Sequence, residues 1–203
     1  MRNALTFLSA VFSAILLSAA PAGAQPQIQS DLAHHPFATD FPAGGQLELH
    51  IRSAEIHIVG SDKNELAVRV SGRAGESSTD MTAQFERQGS SGELRVTGGP
   101  SHEVSITVQV PKKSDLRVRI FAGDVEIEGV SGDKDVDLSA GNLMIAVGNP
   151  AHYSHVSASV TTGSIEAPPF GESHGGMFRS FSKSGNGEYR LVAHVGSGDL
   201  SLR

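Results

Sequence analysis

The chain of 203 residues has no cysteine and no tryptophan, only two tyrosines, and 5% aromatic residues in all. Without cysteine, disulfides, thiolate metal sites and lipid attachment at a thiol are excluded. So few flat rings count against stacked sugar subsites. Basic residues are outnumbered, 16 Lys and Arg against 22 Asp and Glu, for a formal net charge of −6. Nucleic acid and anionic lipid headgroups are therefore unfavourable partners, since both require a basic face. Helical periodicity is missing beyond the first two dozen residues, and so is a second long apolar run.

That first run reads as a leader. Arg2 precedes an apolar stretch from Leu5 to Ala20, and Ala22-Gly23-Ala24 supplies small residues at a cleavage site. The pattern predicts a signal peptide over residues 1–24, cut after Ala24, and a secreted or periplasmic mature protein. Its apolar core is shorter than the ~20 residues of a bilayer span. The mature form is expected to have no membrane span, and loss of Arg2 takes the net charge from −6 to −7. Residues 25–45, with Pro26, Pro36 and Pro42, are expected to be a flexible N-terminal segment or cap.

What the mature chain does contain is a repeat. A strand, a small-residue corner and a second strand recur five times, most clearly at Leu116–Ile127 and Lys134–Ile145. With Ala54, Gly123, Gly141, Gly163 and Gly198 in register, the positions before the corner read Leu49, Val118, Val136, Ala158, Ala193 and Ile51, Ile120, Leu138, Val160, Val195. Those after it read Ile56, Val125, Leu143, Ile165, Leu200 and Ile58, Ile127, Ile145, Ala167, Leu202. The residues between these columns are mostly polar. Because side chains alternate across a strand, the aliphatic columns share an inside and the polar ones face water. The polar residue after each corner, Asp124, Asn142, Ser164 or Asp199, suits a bond to its own turn. This self-similarity predicts an all-β, single-domain β-solenoid of stacked rungs over residues 46–203, with a β-sandwich as the alternative.

The repeat is interrupted once, by an insertion at 168–187 that concentrates large apolar residues. Phe170, Met177, Phe178 and Phe181 lie beside Arg179 and Lys183. The segment is expected to lie over an open side or end of the coil, with Phe170, Met177, Phe178, Arg179 and Phe181 as candidate partner contacts.

No motif supports catalysis or a metal or cofactor site. Gly171-Glu172-Ser173-His174-Gly175 fits the G-x-S-x-G string, but Pro168-Pro169 before it and Gly176 after it deny it the strand and helix of a nucleophile elbow. Asp133, Asp135 and Asp137 open like a calcium loop, yet Leu138 and Met144 stand where Gly and Glu are needed. His152 with His155, and His34 with His35, lack a third ligand at a useful spacing.

The corner strings FAGDVEIEGVSGDKDVDLSAGNLMI, TTGSIEA and GSGDLSL resemble the bacterial putative adhesin family over residues 45–203. The resemblance implies a secreted or envelope-attached, adhesin-like β-solenoid of otherwise unknown function, and carries over no catalytic residue; the chain is expected not to be an enzyme. The expected function is contact with an envelope protein or glycan. The alternatives are a periplasmic accessory or stress-sensing domain that binds a membrane partner, and a polysaccharide-active enzyme.

Overall fold

The computed structural model describes residues 26–72, 80–98 and 104–203, so the predicted leader lies outside the described residues. Sixteen strands form one sheet: β1 (Gln27–Ser30), β2 (Phe37–Asp40), β3 (Gly45–Ser53), β4 (Glu55–Ser61), β5 (Glu65–Gly72), β6 (Thr82–Gln88), β7 (Ser91–Thr97), β8 (Val104–Pro111), β9 (Ser114–Ala122), β10 (Val125–Glu128), β11 (Lys134–Ala140), β12 (Leu143–Ile145), β13 (Tyr153–Ala167), β14 (Glu172–Ser184), β15 (Tyr189–Ser197) and β16 (Leu200–Leu202). Each corner joins two limbs. β3, β9, β11, β15 and the first part of β13 lie parallel in one limb, and β4, β10, β12, β16 and the end of β13 lie parallel in the other.

The aliphatic columns are real ladders. Leu49, Val118, Val136, Ala193 and Ala158 are opposite one another in turn, as are Ile56, Val125, Leu143, Leu200 and Ile165. All twenty column residues are buried in one core shared by both limbs. The order of the rungs, however, departs from the chain order. The last repeat, β15–β16, inserts between β11–β12 and β13, leaving the fourth repeat at the end of the stack. β13 there runs unbroken through the corner and pairs with both β15 and β16, so the sheet doubles back and nearly closes like a barrel. The fold is all-β. A coil wound in chain order is not what forms, and the doubled-back sheet also fits the sandwich or barrel alternative.

The polar residues after the corners bond between rungs rather than within their own turns. Asp124 Oδ1 accepts from Asn142 N at 3.1 Å and Asn142 Nδ2 at 2.9 Å. Asn142 Oδ1 accepts from Asp199 N at 3.2 Å, and Asp199 Oδ1 accepts from Ser164 N at 3.0 Å and Ser164 Oγ at 2.7 Å. A second ladder starts each rung: Asp115 Oδ1 accepts from Asp133 N, and Asp133 Oδ1 from Arg190 N. Corner donors that the parallel strands leave spare are satisfied by the neighbouring turn.

Residues 25–45 contribute β1 and β2, which lie at the two ends of the sheet's strand order. β6 and β7 form a hairpin beside β3 with β1 on its outer edge, while β8 and β5 extend the other limb with β2 outermost. Phe37, Phe41 and Phe85 fill that end, with ring centroids 6.0 and 6.2 Å apart.

One buried position breaks the pattern. Lys134 stands between Leu116 and Leu191 in a further inner column and is 2% exposed. Its Nζ donates only to Gly132 O and Tyr153 Oη, each at 3.2 Å. Desolvation lowers its pKa to about 8, partly offset by Asp133 and Asp115, and raises that of Tyr153 to about 12. Unfolded, the lysine titrates near 10.5. Between pH 8 and 10.5 the unfolded chain binds more protons, so this residue makes stability rise with pH across that window, and its full penalty applies below pH 8. Lys134→Leu is expected to stabilise the protein at pH 7 by about 1–2 kcal/mol, the loss of a partner for Tyr153 Oη offsetting part of the gain. It should also flatten the rise between pH 8 and about 9.5, before ionisation of Tyr153 in the unfolded chain, near 10.0, opposes it. Chemical denaturation of both proteins at pH 7, 8.5 and 9.5 checks this; a destabilised variant with an unchanged pH slope would contradict it.

Candidate functional site

The insertion forms an arm along the end of the stack. Pro168–Phe170 make a single 3-10 turn, closed by Gly171 at φ +73 whose N–H donates to Pro168 O. From there β14 runs back antiparallel to β13 and follows it around the corner, with Gly176 opposite Gly163. Its other long edge pairs with no described strand. Apart from the half-buried Glu172 and Phe181 every residue of β14 is exposed, so the strand alternates in neither burial nor polarity.

The five candidate residues divide. Phe170 is buried, and Phe181 packs on the core beside it with ring centroids 6.2 Å apart, so these two close the end of the stack. Lys183 Nζ donates to Phe170 O at 2.7 Å, tying the strand to the turn. Arg179 Nε donates to Gly175 O at 2.9 Å and braces the arm across its corner. Met177 and Phe178 point outward, 62% and 77% exposed. Phe178 also has φ +52, a left-handed conformation costly for a bulky side chain. The segment thus covers the core with Phe170 and Phe181 and exposes Met177 and Phe178 at the bend between them.

The remaining motifs fall on open surfaces. Ser173 lies on β14 opposite Glu166, its neighbour His174 bonded to Glu172 at 2.7 Å, and a strand follows where an elbow needs a helix. Asp135 and Asp137 are opposite Arg117 and Arg119, although the strong ion pair is diagonal, Arg119 Nη2 to Asp135 at 2.9 Å. That hydrogen bond raises the Arg119 pKa. His152 ends a 3-10 turn while His155 lies in β13, and among the described residues no group of three or more His, Asp or Glu side chains is placed to hold a metal.

Two features were missed by sequence reasoning. Ser159 and His194 are bonded at 2.9 Å, with Asp137 next to His194 in the register, a row visible only once the rung order is known. Asp137 makes no hydrogen bond to His194, and the row lies along a sheet face. A groove of about 470 Å³ runs over the second limb, lined by Glu55, His57, Glu126, Met144, Glu166 and Arg203. There His57 sits between two carboxylates, Nδ1 3.1 Å from Glu126 and Nε2 3.2 Å from Glu55, which engages both acids in the same contact.

No protein-family model matches the chain, and no curated protein matches it. Among solved structures it is similar to a putative cell adhesion protein from Clostridium sporogenes, with 11% identity, TM-score 0.49, and coverage of 88% of this chain and 100% of that one. It is also similar to a putative adhesin from Bacteroides fragilis, with 9% identity, TM-score 0.32, and coverage of 87% and 97%. A third, a putative lipid binding protein from Parabacteroides distasonis, has 9% identity, TM-score 0.19, and coverage of 88% and 96%. Among the described residues no helix is long and apolar enough to cross a membrane.

Proposed function

We propose that this protein is a non-enzymatic, exported, adhesin-like scaffold that presents its β14 arm for contact with a protein or glycan at the cell envelope. One observation carries the reading: Met177 and Phe178 are adjacent and exposed on a strand whose outer edge is unpaired. Large apolar side chains are otherwise almost all buried, the only other exposed ones among the described residues being Ile28 and Phe121. Adjacent apolar side chains on a polar arm favour a partner surface, and a rigid scaffold carries such recognition at little structural cost. The corner motifs that resemble the adhesin family support export and attachment in the same direction.

The double variant Met177→Ser, Phe178→Ser tests it. Its melting temperature should match the wild type within a few degrees, because neither side chain packs on the core. Retention of envelope extract from the native cell should fall to background. Undiminished retention by the folded variant would overturn the reading.

A further inference from the structure

We propose that the edge of β14 also takes a second copy of this chain, which competes there with an envelope partner and whose own β14 pairs with it antiparallel about a two-fold axis through the corner. The free edges of the sheet are unequal. Its path ends at β1 and β2, four residues each, whereas β14 offers thirteen. Short edges are a usual defence against strand addition, and a long open one is a pairing template.

The corner fixes the register. On β13 the core-facing residues are Val156, Ala158 and Val160 before the corner, then Ile165 and Ala167 after it. Their partners on β14 are Lys183, Phe181, Arg179, His174 and Glu172. The core side of β14 therefore uses odd positions in one limb and even positions in the other. A reversed copy can set core side against core side, corner on corner, when Met177 lies opposite Phe178 of the second copy. That register places His174 opposite Phe181 of the second copy, and Glu172 opposite Lys183 of the second copy.

Charge argues for a self-partner. The arm is acidic at its start, at Glu172, and basic toward its end, at Arg179 and Lys183, so it complements itself only when reversed. Rotation about the bisector of the corner exchanges the two limbs, which is what antiparallel pairing along a bent strand requires. β13 and β14 already pair this way within one molecule, Gly163 against Gly176. The two exposed side chains, Met177 and Phe178, would then cover each other, and the core ends closed by Phe170 and Phe181 would abut. A two-fold contact of this kind is self-complementary and closes at the dimer.

Sedimentation velocity of the purified protein across a wide concentration range should show a reversible dimer. Glu172→Lys and Lys183→Glu should each weaken it about tenfold, and the two together in one chain should restore it to within about threefold, since each swap alone sets like charges opposite. Because the chain has no cysteine, Met177→Cys should cross-link into a dimer on mild oxidation while Gln88→Cys, in β6 at the far end, should not. If a swap lowers the melting temperature, the cross-link decides. A monomer at every concentration, or a dimer indifferent to the swaps and to Met177→Cys, would overturn the inference. A monomer that still captures envelope material through Met177 and Phe178 would sink the dimer and leave the proposed function standing; a β14 dimer that captures nothing would do the reverse.

Discussion

Ile120→Asp and Leu143→Asp are each expected to unfold the protein or to cost it about 3–5 kcal/mol, because each sets an unpaired carboxylate in the middle of a ladder. Ile120 lies between Ile51 and Leu138 in the first limb, and Leu143 between Val125 and Leu200 in the second. Both are almost fully buried. The surrounding cluster is hydrophobic, so the rung must open to wet the charge. The control needs care. Arg119→Asp removes the ion pair to Asp135 and adds a like charge beside it, and Asn142→Asp would face Asp124 after losing the Nδ2 donor. Ser139→Asp, on the exposed column of the same strand as Leu138, is the cleaner comparison and should change stability by less than about 0.5 kcal/mol. Urea unfolding of all three proteins measures the contrast. Equal losses would mean that the inside and outside of the strands have been misassigned.

Gly141→Ala should be nearly as damaging, at about 3 kcal/mol or more, although it adds a single methyl group. Two penalties combine. Gly141 has φ +127, which L side chains rarely adopt, and a Cβ there would land well inside contact distance of the Gly123 carbonyl oxygen. The same contact repeats along the corner: a Cβ on Gly123 would strike Ala54 O, one on Gly198 would strike Gly141 O, and one on Gly163 would strike Gly198 O. Each corner presses on the one before it. Ala54 has no positive φ, so a methyl group is tolerated there. Ala54→Gly should therefore cost only about 1 kcal/mol, the price of backbone entropy and a small buried methyl. Paired thermal melts of Gly141→Ala and Ala54→Gly test the asymmetry, and similar shifts would contradict it.

The columns were legible because burial on one side of a strand writes itself into every second residue. Val118, Val136 and Ala193 announce their face whichever rung lies next to them. Rung order is not written in this way: Ala158 and Val160 fit beside Leu138 or beside Val195 equally well, so a shuffled stack keeps every column intact. The same loss hid the Ser159–His194 contact, which joins residues 35 positions apart. β14 reads in sequence as an insertion and not as a strand, because nearly all of it is exposed and its Ser, Gly and Lys residues carry no alternation. The corner acids, read as local turn formers, serve their neighbours instead, a distinction that sequence cannot make because both uses favour Asp and Asn. Lys134 could have been found by extending the inner columns one step back, where it replaces leucine. Among the candidate contact residues, the density of Phe and Met marked the right segment, but which rings turned inward depended on the corner.

The displaced last repeat bears on the order in which the chain can fold. Synthesis delivers β13 and β14 before β15 and β16, yet β13 can reach its place only when β15 and β16 stand between it and β11 and β12. Growth rung by rung from the N-terminal end must halt after β12, with a hairpin of 32 residues, Tyr153–Ser184, waiting beside an incomplete core. Removing β15 and β16 would not fray an outer layer but take out an interior one, so this segment acts late in time and centrally in space.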